Sequence, residues 1–398
     1  MCRINKTGED ILLRKNAYTI AIIYLLMMLI GIVENVKGPL IINIKTFYGV
    51  DYTMMGLFLS AGSFGFILST FLGGFLADKI GRKSVLISGL ILIIAGILGI
   101  FAARKFIVFL IFAFVMNMGM GLLEIGINAV ASIVFIVNQA LMMNLLHFFY
   151  GVGAIISPNM TAKLLHINFS WQQVYLTVGA IVFILMLAAL EIKMHGEEKH
   201  IARDKIDYIQ ILSDKRMWLF ASMLGFYVAS ELGIGNWAVT FFSAQYKMDN
   251  TISSLYLGLF FATFTFGRLV GGFIVERIGY IKSLFIFSLV SSILIASGMA
   301  GRNFAFLISV AGFFYSIIFP TTIAIVMKEF KQHVTIIIAI ILTISSTINM
   351  LANFLIGRLN DIFGVFIGFS AILIFMILVV FMSLILAKTE TTDDLEKV

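Results

Sequence analysis

Gly74-Phe-Leu-Ala-Asp78-Lys-Ile-Gly81-Arg82-Lys83 returns 198 residues later as Gly272-Phe-Ile-Val-Glu276-Arg277-Ile-Gly279-Tyr280. Each copy has a glycine, an acid four residues on, a base next to the acid and a second glycine at the seventh step. Each also closes a long apolar run, so the chain reads as two related halves.

Outward from these turns the sequence is almost continuously apolar. Of 398 residues, 61% are hydrophobic and 12% charged, where a soluble domain carries roughly a quarter charged residues. Apolar runs recur at about 17–40, 53–77, 84–101, 106–131, 139–162, 171–191, 217–243, 253–275, 283–300, 303–327, 334–356 and 363–386, each long enough for a hydrocarbon layer of about 30 Å. In lipid the backbone must satisfy itself, and the runs do not alternate as barrel strands would, so helices are expected. The polar stretch from Lys193 to Arg216 divides them six and six. The expected fold is an all-α membrane protein of twelve transmembrane helices in two pseudo-symmetric bundles. Residues 1–192 form the first bundle, 193–216 a cytoplasmic linker, and 217–398 the second bundle with a short tail.

Charge gives an independent reading. With both termini inside, 20 of the 28 Lys and Arg, Arg268 among them, fall on the inner side. Lys37, Lys45, Arg104, Lys105, Lys163, Lys247, Arg302 and Arg358 fall outside, as the positive-inside rule requires. The net charge of +7 is thus a matter of topology, and nucleic acid is not expected as a partner. One cysteine, Cys2, excludes an internal disulfide or a cysteine metal cage. No cleavage site follows the first apolar run, so a removed signal peptide is not expected. Neither a P-loop nor H-E-x-x-H occurs, and the five histidines are scattered. An ATP-driven pump, a metal-dependent hydrolase and a bound cofactor have no support. No segment could house an appended enzyme or sensor domain.

The loop at 74–83 matches G-x-x-x-D-R/K-x-G-R-R/K at every fixed position, and here the chain resembles the major facilitator superfamily. The resemblance implies a gating loop, Gly74, Asp78, Gly81, Arg82 and Lys83 with Glu276 and Arg277 in the second copy, in which Asp78 and Arg82 form an inner charge relay. The plainer alternative is a positive-inside loop. Within the superfamily the chain is similar to the fucose–galactose–glucose proton symporters. Span four reads Gly119-Met-Gly121-Leu-Leu-Glu124-Ile-Gly-Ile-Asn128, and span five Asn144-Leu-Leu-His147-Phe-Phe-Tyr150-Gly151-Val-Gly153. Tyr227-Val-Ala-Ser-Glu231, Asn236-Trp237 and Phe319-Pro320-Thr321 are also similar. Span one departs from the group: Glu34-Asn35-Val-Lys37-Gly38-Pro39 displaces the acid by a turn and adds a foreign lysine.

Glu34, Glu124 and Glu231 lie inside expected spans, where an ionised side chain costs about 2.5–3.5 kcal/mol even on the lenient insertion scale. They are the candidate proton-coupling groups, against the alternative of acids merely hydrogen-bonded between helices. A carboxyl that meets a dry and then a wetted environment can load a proton on one side and release it on the other. Asn128 follows Glu124 by one turn on the same face, and its amide can both donate and accept. Asn144, His147, Tyr150, Asn236, Trp237, Asn349 and Asn353 complete the candidate substrate lining. For His147 and the amides the competing role is helix–helix hydrogen bonding, and for Trp237 an interfacial belt.

A neutral solute is expected, because Lys37 is the only base read as lying in a span. The sequence therefore points to a monomeric secondary transporter of the plasma (inner) membrane, contacting lipid, a small-molecule substrate and protons. It would import a neutral hydroxylated solute such as a monosaccharide by proton symport and alternating access. The rival on the same fold is proton-driven efflux of drugs or hydrophobic metabolites.

Overall fold

The computed structural model describes residues 6–135, 139–192, 208–330 and 333–395, with side chains from 16 to 388 except at positions 78, 140, 208–210 and 335. Most of the expected 193–216 linker lies outside the described residues. Among those described, twelve helices are long and apolar enough to cross a membrane and no strand occurs. Their order is Asn16–Tyr48, Tyr52–Ala77, Arg82–Ala102, Phe106–Val134, Leu141–His166, Trp171–Leu190, Lys215–Tyr246, Asn250–Ile278, Tyr280–Met299, Arg302–Glu329, Ile336–Phe363 and Val365–Lys388. They are spans one to twelve below.

Two boundaries move. Span one continues beyond its apolar run to Tyr48, so Lys45 lies on the helix instead of in an outer loop, and Lys37, within the expected span, is buried. Proline explains how. Pro39 has no N–H to give the carbonyl of Asn35, and the helix breaks into Lys6–Asn35 and Lys37–Tyr48. Pro39 then sits in the first turn of the second piece, where an N–H has no intrahelical acceptor anyway. Span ten repeats the device, breaking into Phe306–Tyr315 and Ile318–Glu329 with Pro320 again third in the second piece. Span eleven also runs further than its apolar stretch and carries Arg358 and Asp361 on the helix.

The two copies of the opening motif share a backbone conformation at their second glycine. Gly81 has φ 88° and ψ 151°, and Gly279 has φ 97° and ψ 153°. Positive φ is cheap only without a Cβ, which gives the seventh-step glycine its physical reason. Gly74 and Gly272 face open space.

The chain forms two compact units. The first takes in the described parts of Met1–Val36, Phe64–Ser157 and Leu164–Ala202. In it the glycine-rich face of span four lies on span three: a Cβ at Gly126 would come within 2.6 Å of Leu86 Cα, and one at Gly96 within 2.6 Å of Met116 N. Close backbone approach of this kind holds apolar helices together by dispersion where lipid offers no hydrophobic drive. Span one meets span five similarly, and Ser157 donates to the Ile32 carbonyl at 2.7 Å.

The second unit takes in Lys37–Ser63, Pro158–Lys163 and the described part of Arg203–Val398. Here span two runs along span eleven through Gly56 and Gly357, and Ser60 donates to the Met350 carbonyl at 2.7 Å. Asp361 accepts from the backbone N–H groups of Tyr52 at 2.9 Å and Thr53 at 2.6 Å, satisfying orphan donors at the start of span two. Arg216 pairs with Glu329 at 3.1 Å where span seven begins and span ten ends.

Candidate functional site

Two polar clusters lie at mid-span, one in each unit. In the first unit, Glu34 of span one bears electrostatically on both Glu124 of span four and Tyr175 of span six. The two carboxyls are half-buried, while Tyr175 is fully buried and its hydroxyl has no hydrogen-bond partner among the described residues. Glu34 lies 14 residues from the Tyr48 end of its 33-residue span, well inside it. Asn128, a turn after Glu124, is half-buried, as is Tyr150; Asn144 and His147 on span five are exposed. Tyr175 went unnoticed in the sequence because tyrosine is ordinary at span ends, and only its burial beside two acids sets it apart.

The second unit holds a chain of amides. Asn236 donates to the Asn353 side-chain oxygen at 3.1 Å, Asn353 donates to the Asn349 side-chain oxygen at 3.1 Å, and Asn349 donates to Ser63 at 3.4 Å. Spans seven, eleven and two are thereby joined by residues that are each under a tenth exposed, Ser63 apart. Trp237 is 1% exposed and packs edge-on against Tyr52 with 6.3 Å between ring centroids. In this conformation the amide chain and Trp237 are part of the unit's interior.

Glu231, at the middle of span seven, belongs to a separate group. It is a hydrogen-bond neighbour of Tyr227 one turn away and lies in electrostatic reach of Arg268. Tyr227 donates to the Tyr315 carbonyl at 3.0 Å, beside the break in span ten. The Tyr315 hydroxyl lies 2.6 Å from Ser230, which donates to the Ile372 carbonyl at 2.8 Å. Arg268 corrects the sequence reading. It was assigned to the inner side, yet it sits ten residues inside the Ile278 end of span eight, over the Phe264 ring at 4.4 Å. Lys37 is therefore not the only base within a span, and the ground for a neutral solute falls. The signal was present, since the apolar run at 253–275 encloses position 268.

At the turns, Lys83 donates to the Leu190 carbonyl at 2.7 Å, at the C-terminal end of span six. Arg82 is half-buried, Glu276 and Arg277 are exposed, and the Asp78 side chain lies outside the described residues. The structure also reveals a third glycine–acid–glycine turn with the same spacing, Gly357, Asp361 and Gly364, the last with φ 85°. Among the described residues no group of three or more His, Cys, Asp or Glu could hold a metal.

Comparison with known proteins agrees with this architecture. A Buchnera aphidicola (subsp. Baizongia pistaciae) protein named TsgA homolog is 25% identical over 92% of this chain and 95% of its own. A Helicobacter pylori (strain ATCC 700392 / 26695) protein, provisionally named a glucose/galactose transporter, is 23% identical over 78% of this chain and 81% of its own. Among solved structures, the E. coli fucose:proton symporter covers 92% of this chain and 97% of its own at 18% identity, with a TM-score of 0.65. A D-xylose-proton symporter reaches a TM-score of 0.76 at 12% identity, over 92% and 96%. Fold and relatives are those of a membrane transporter and not of an enzyme. The model of the Major Facilitator Superfamily matches residues 23–346, from span one into span eleven, and the chain belongs to that superfamily.

Proposed function

We propose that this transporter takes up a small hydroxylated solute, such as a monosaccharide, together with protons across the plasma membrane. The observation that carries the proposal is that spans one and four, packed together in one unit, each hold a half-buried acid, Glu34 and Glu124, inside the membrane. A carboxyl that alternates between a dry and a wetted environment can load a proton on one side of the membrane and release it on the other. Glu124 is the principal carrier, Glu34 its modulator and Glu231 a second acid with a partner of its own. Asn128, Asn144, His147 and Tyr150 supply amide, imidazole and phenol groups suited to sugar hydroxyls. In the second unit the amides of Asn236, Asn349 and Asn353 offer the same kind of donors and acceptors, and transport proceeds by alternating access. The sugar-transporting names among the relatives support this substrate class, and the bias of basic residues supports cytoplasmic termini. The protein acts as a monomer.

The test is transport in proteoliposomes with labelled galactose, glucose, fucose and xylose. Wild type is expected to accumulate one of them when the outside is acidic. Glu124→Gln is expected to keep counterflow and lose gradient-driven accumulation. Undiminished accumulation by Glu124→Gln removes Glu124 as carrier. Failure of every sugar, with drug resistance on overexpression, favours efflux instead.

A further inference from the structure

We propose that Arg268 is the docking point for a carboxylate on the transported solute, and that Glu231 takes the proton that travels with it. The inference rests on the transporter reading and narrows its substrate to a hydroxylated acid of sugar size.

Arg268 lies mid-span, where a permanent cation is costly and is retained for a reason. One flat face of its guanidinium is covered by Phe264 at 4.4 Å, so the hydrogen bonds it can make lie along its N–H edge. Its Nε is buried without a hydrogen-bond partner, and among the described residues no carboxylate forms an ion pair with it. A planar array of N–H donors of this kind matches the two oxygens of a carboxylate.

The surrounding hydroxyls fix what Glu231 can do. Each hydroxyl has one proton. Ser230 gives its own to Ile372, so Tyr315 gives its proton to Ser230, and Tyr227 gives its proton to the Tyr315 carbonyl. While Tyr227 donates to that carbonyl, a protonated Glu231 can donate to its oxygen, and when Glu231 is ionised the Tyr227 hydroxyl can turn to donate to the carboxylate. With Glu231 neutral, Arg268 has no compensating carboxylate among the described residues of the unit. A solute carboxylate then restores neutrality. When Glu231 is ionised it compensates Arg268 itself and competes with the solute. Proton and carboxylate therefore enter together, and the net charge of the group is the same empty or loaded.

The charged groups on helices packed against span seven are Lys37 and Lys45 on the Lys37–Tyr48 piece of span one, Arg268, Glu276 and Arg277 on span eight, Lys328 and Glu329 on span ten, Arg358 and Asp361 on span eleven, and Lys388 on span twelve. Of these, Arg268 alone bears on Glu231. A phosphate ester fits less well, because it brings close to two negative charges where one proton and one guanidinium balance a single charge.

The experiment measures binding to the full chain in nanodiscs with galacturonate, glucuronate and gluconate, against galactose, glucose and glucose 6-phosphate, at pH 6 and pH 8. Wild type is expected to bind at least one of the three acids, at least tenfold more tightly at pH 6. Arg268→Gln is expected to lose at least tenfold of that affinity. Glu231→Gln, which mimics the protonated acid, is expected to bind it equally at both pH values, and a thermal melt of each variant against wild type is the folding control. Acid binding unchanged by Arg268→Gln overturns the docking role. Strong pH dependence persisting in Glu231→Gln overturns the proton assignment. Binding of galactose or glucose without any acid defeats the inference and leaves sugar symport standing, preferential binding of the phosphate ester defeats the carboxylate, and silence from every probe defeats both.

Discussion

Ser230 donates to the Ile372 carbonyl and accepts from the Tyr315 hydroxyl, so one oxygen ties span seven to spans ten and twelve. Removing it leaves Tyr315 with a fully buried, unpaired hydroxyl, a loss that costs about 1–3 kcal/mol. Ser230→Ala is therefore expected to lower stability by that amount in a detergent unfolding titration. Tyr175 supplies the opposite case. Its hydroxyl is already buried without a protein partner, so Tyr175→Phe removes a polar atom that makes no hydrogen bond. Stability is expected to hold or to rise by up to about 1 kcal/mol, and a loss comparable to that of Ser230→Ala would show that the hydroxyl is engaged. At this scale the sequence identified the acids and missed what surrounds them. Glu124 and Glu231 stand out because a carboxyl in an apolar run is rare. Tyr175, Ser230 and Tyr315 are ordinary in such runs, and only their pairing in space gives them a role.

Between residues and whole spans, the recurring glycine turn separates two uses of the same amino acid. Gly279 holds φ 97°, whereas Gly272 is helical with nothing near it. A side chain forced into left-handed backbone costs roughly 1–2 kcal/mol, while alanine in place of a helical glycine gains about 0.5–1 kcal/mol. Gly279→Ala is expected to destabilise and Gly272→Ala to stabilise, in paired thermal melts. Equal losses would mean that both positions are held by contacts instead of backbone geometry. Apolar periodicity made the spans legible nearly to their ends, because lipid fixes both the length and the polarity of a crossing helix. The breaks in spans one and ten were less so. Pro39 and Pro320 signal interruption, but Pro158 lies within the single helix Gln139–His166, so proline alone does not tell where a helix restarts. The third turn, Gly357 to Gly364, escaped notice because no base follows its acid, although Asp361 caps span two in the structure.

For the whole molecule, orientation depends on the distribution of basic residues, and that bias survives removal of Lys37, Lys45, Arg268 and Arg358, which lie within spans. Span eight is a demanding crossing, since it holds Arg268 within the membrane. A central arginine opposes insertion by about 2.5–3.5 kcal/mol. Each Leu, Ile, Phe or Val at a helix centre favours it by about 0.3–0.6 kcal/mol. Span eight holds 14 such residues, which even at the low end of that range contribute about 4 kcal/mol, enough to bring the arginine in. Lys247 precedes this span, Lys282 follows it, and both are exposed. In a Cys2→Ser background, Lys247→Cys is expected to react with a membrane-impermeant maleimide on intact cells, and Lys282→Cys only after permeabilisation. The reverse pattern would invert the topology and place both termini outside. Labelling of both positions from outside would mean that span eight does not cross, and Arg268 would then lie in no membrane at all.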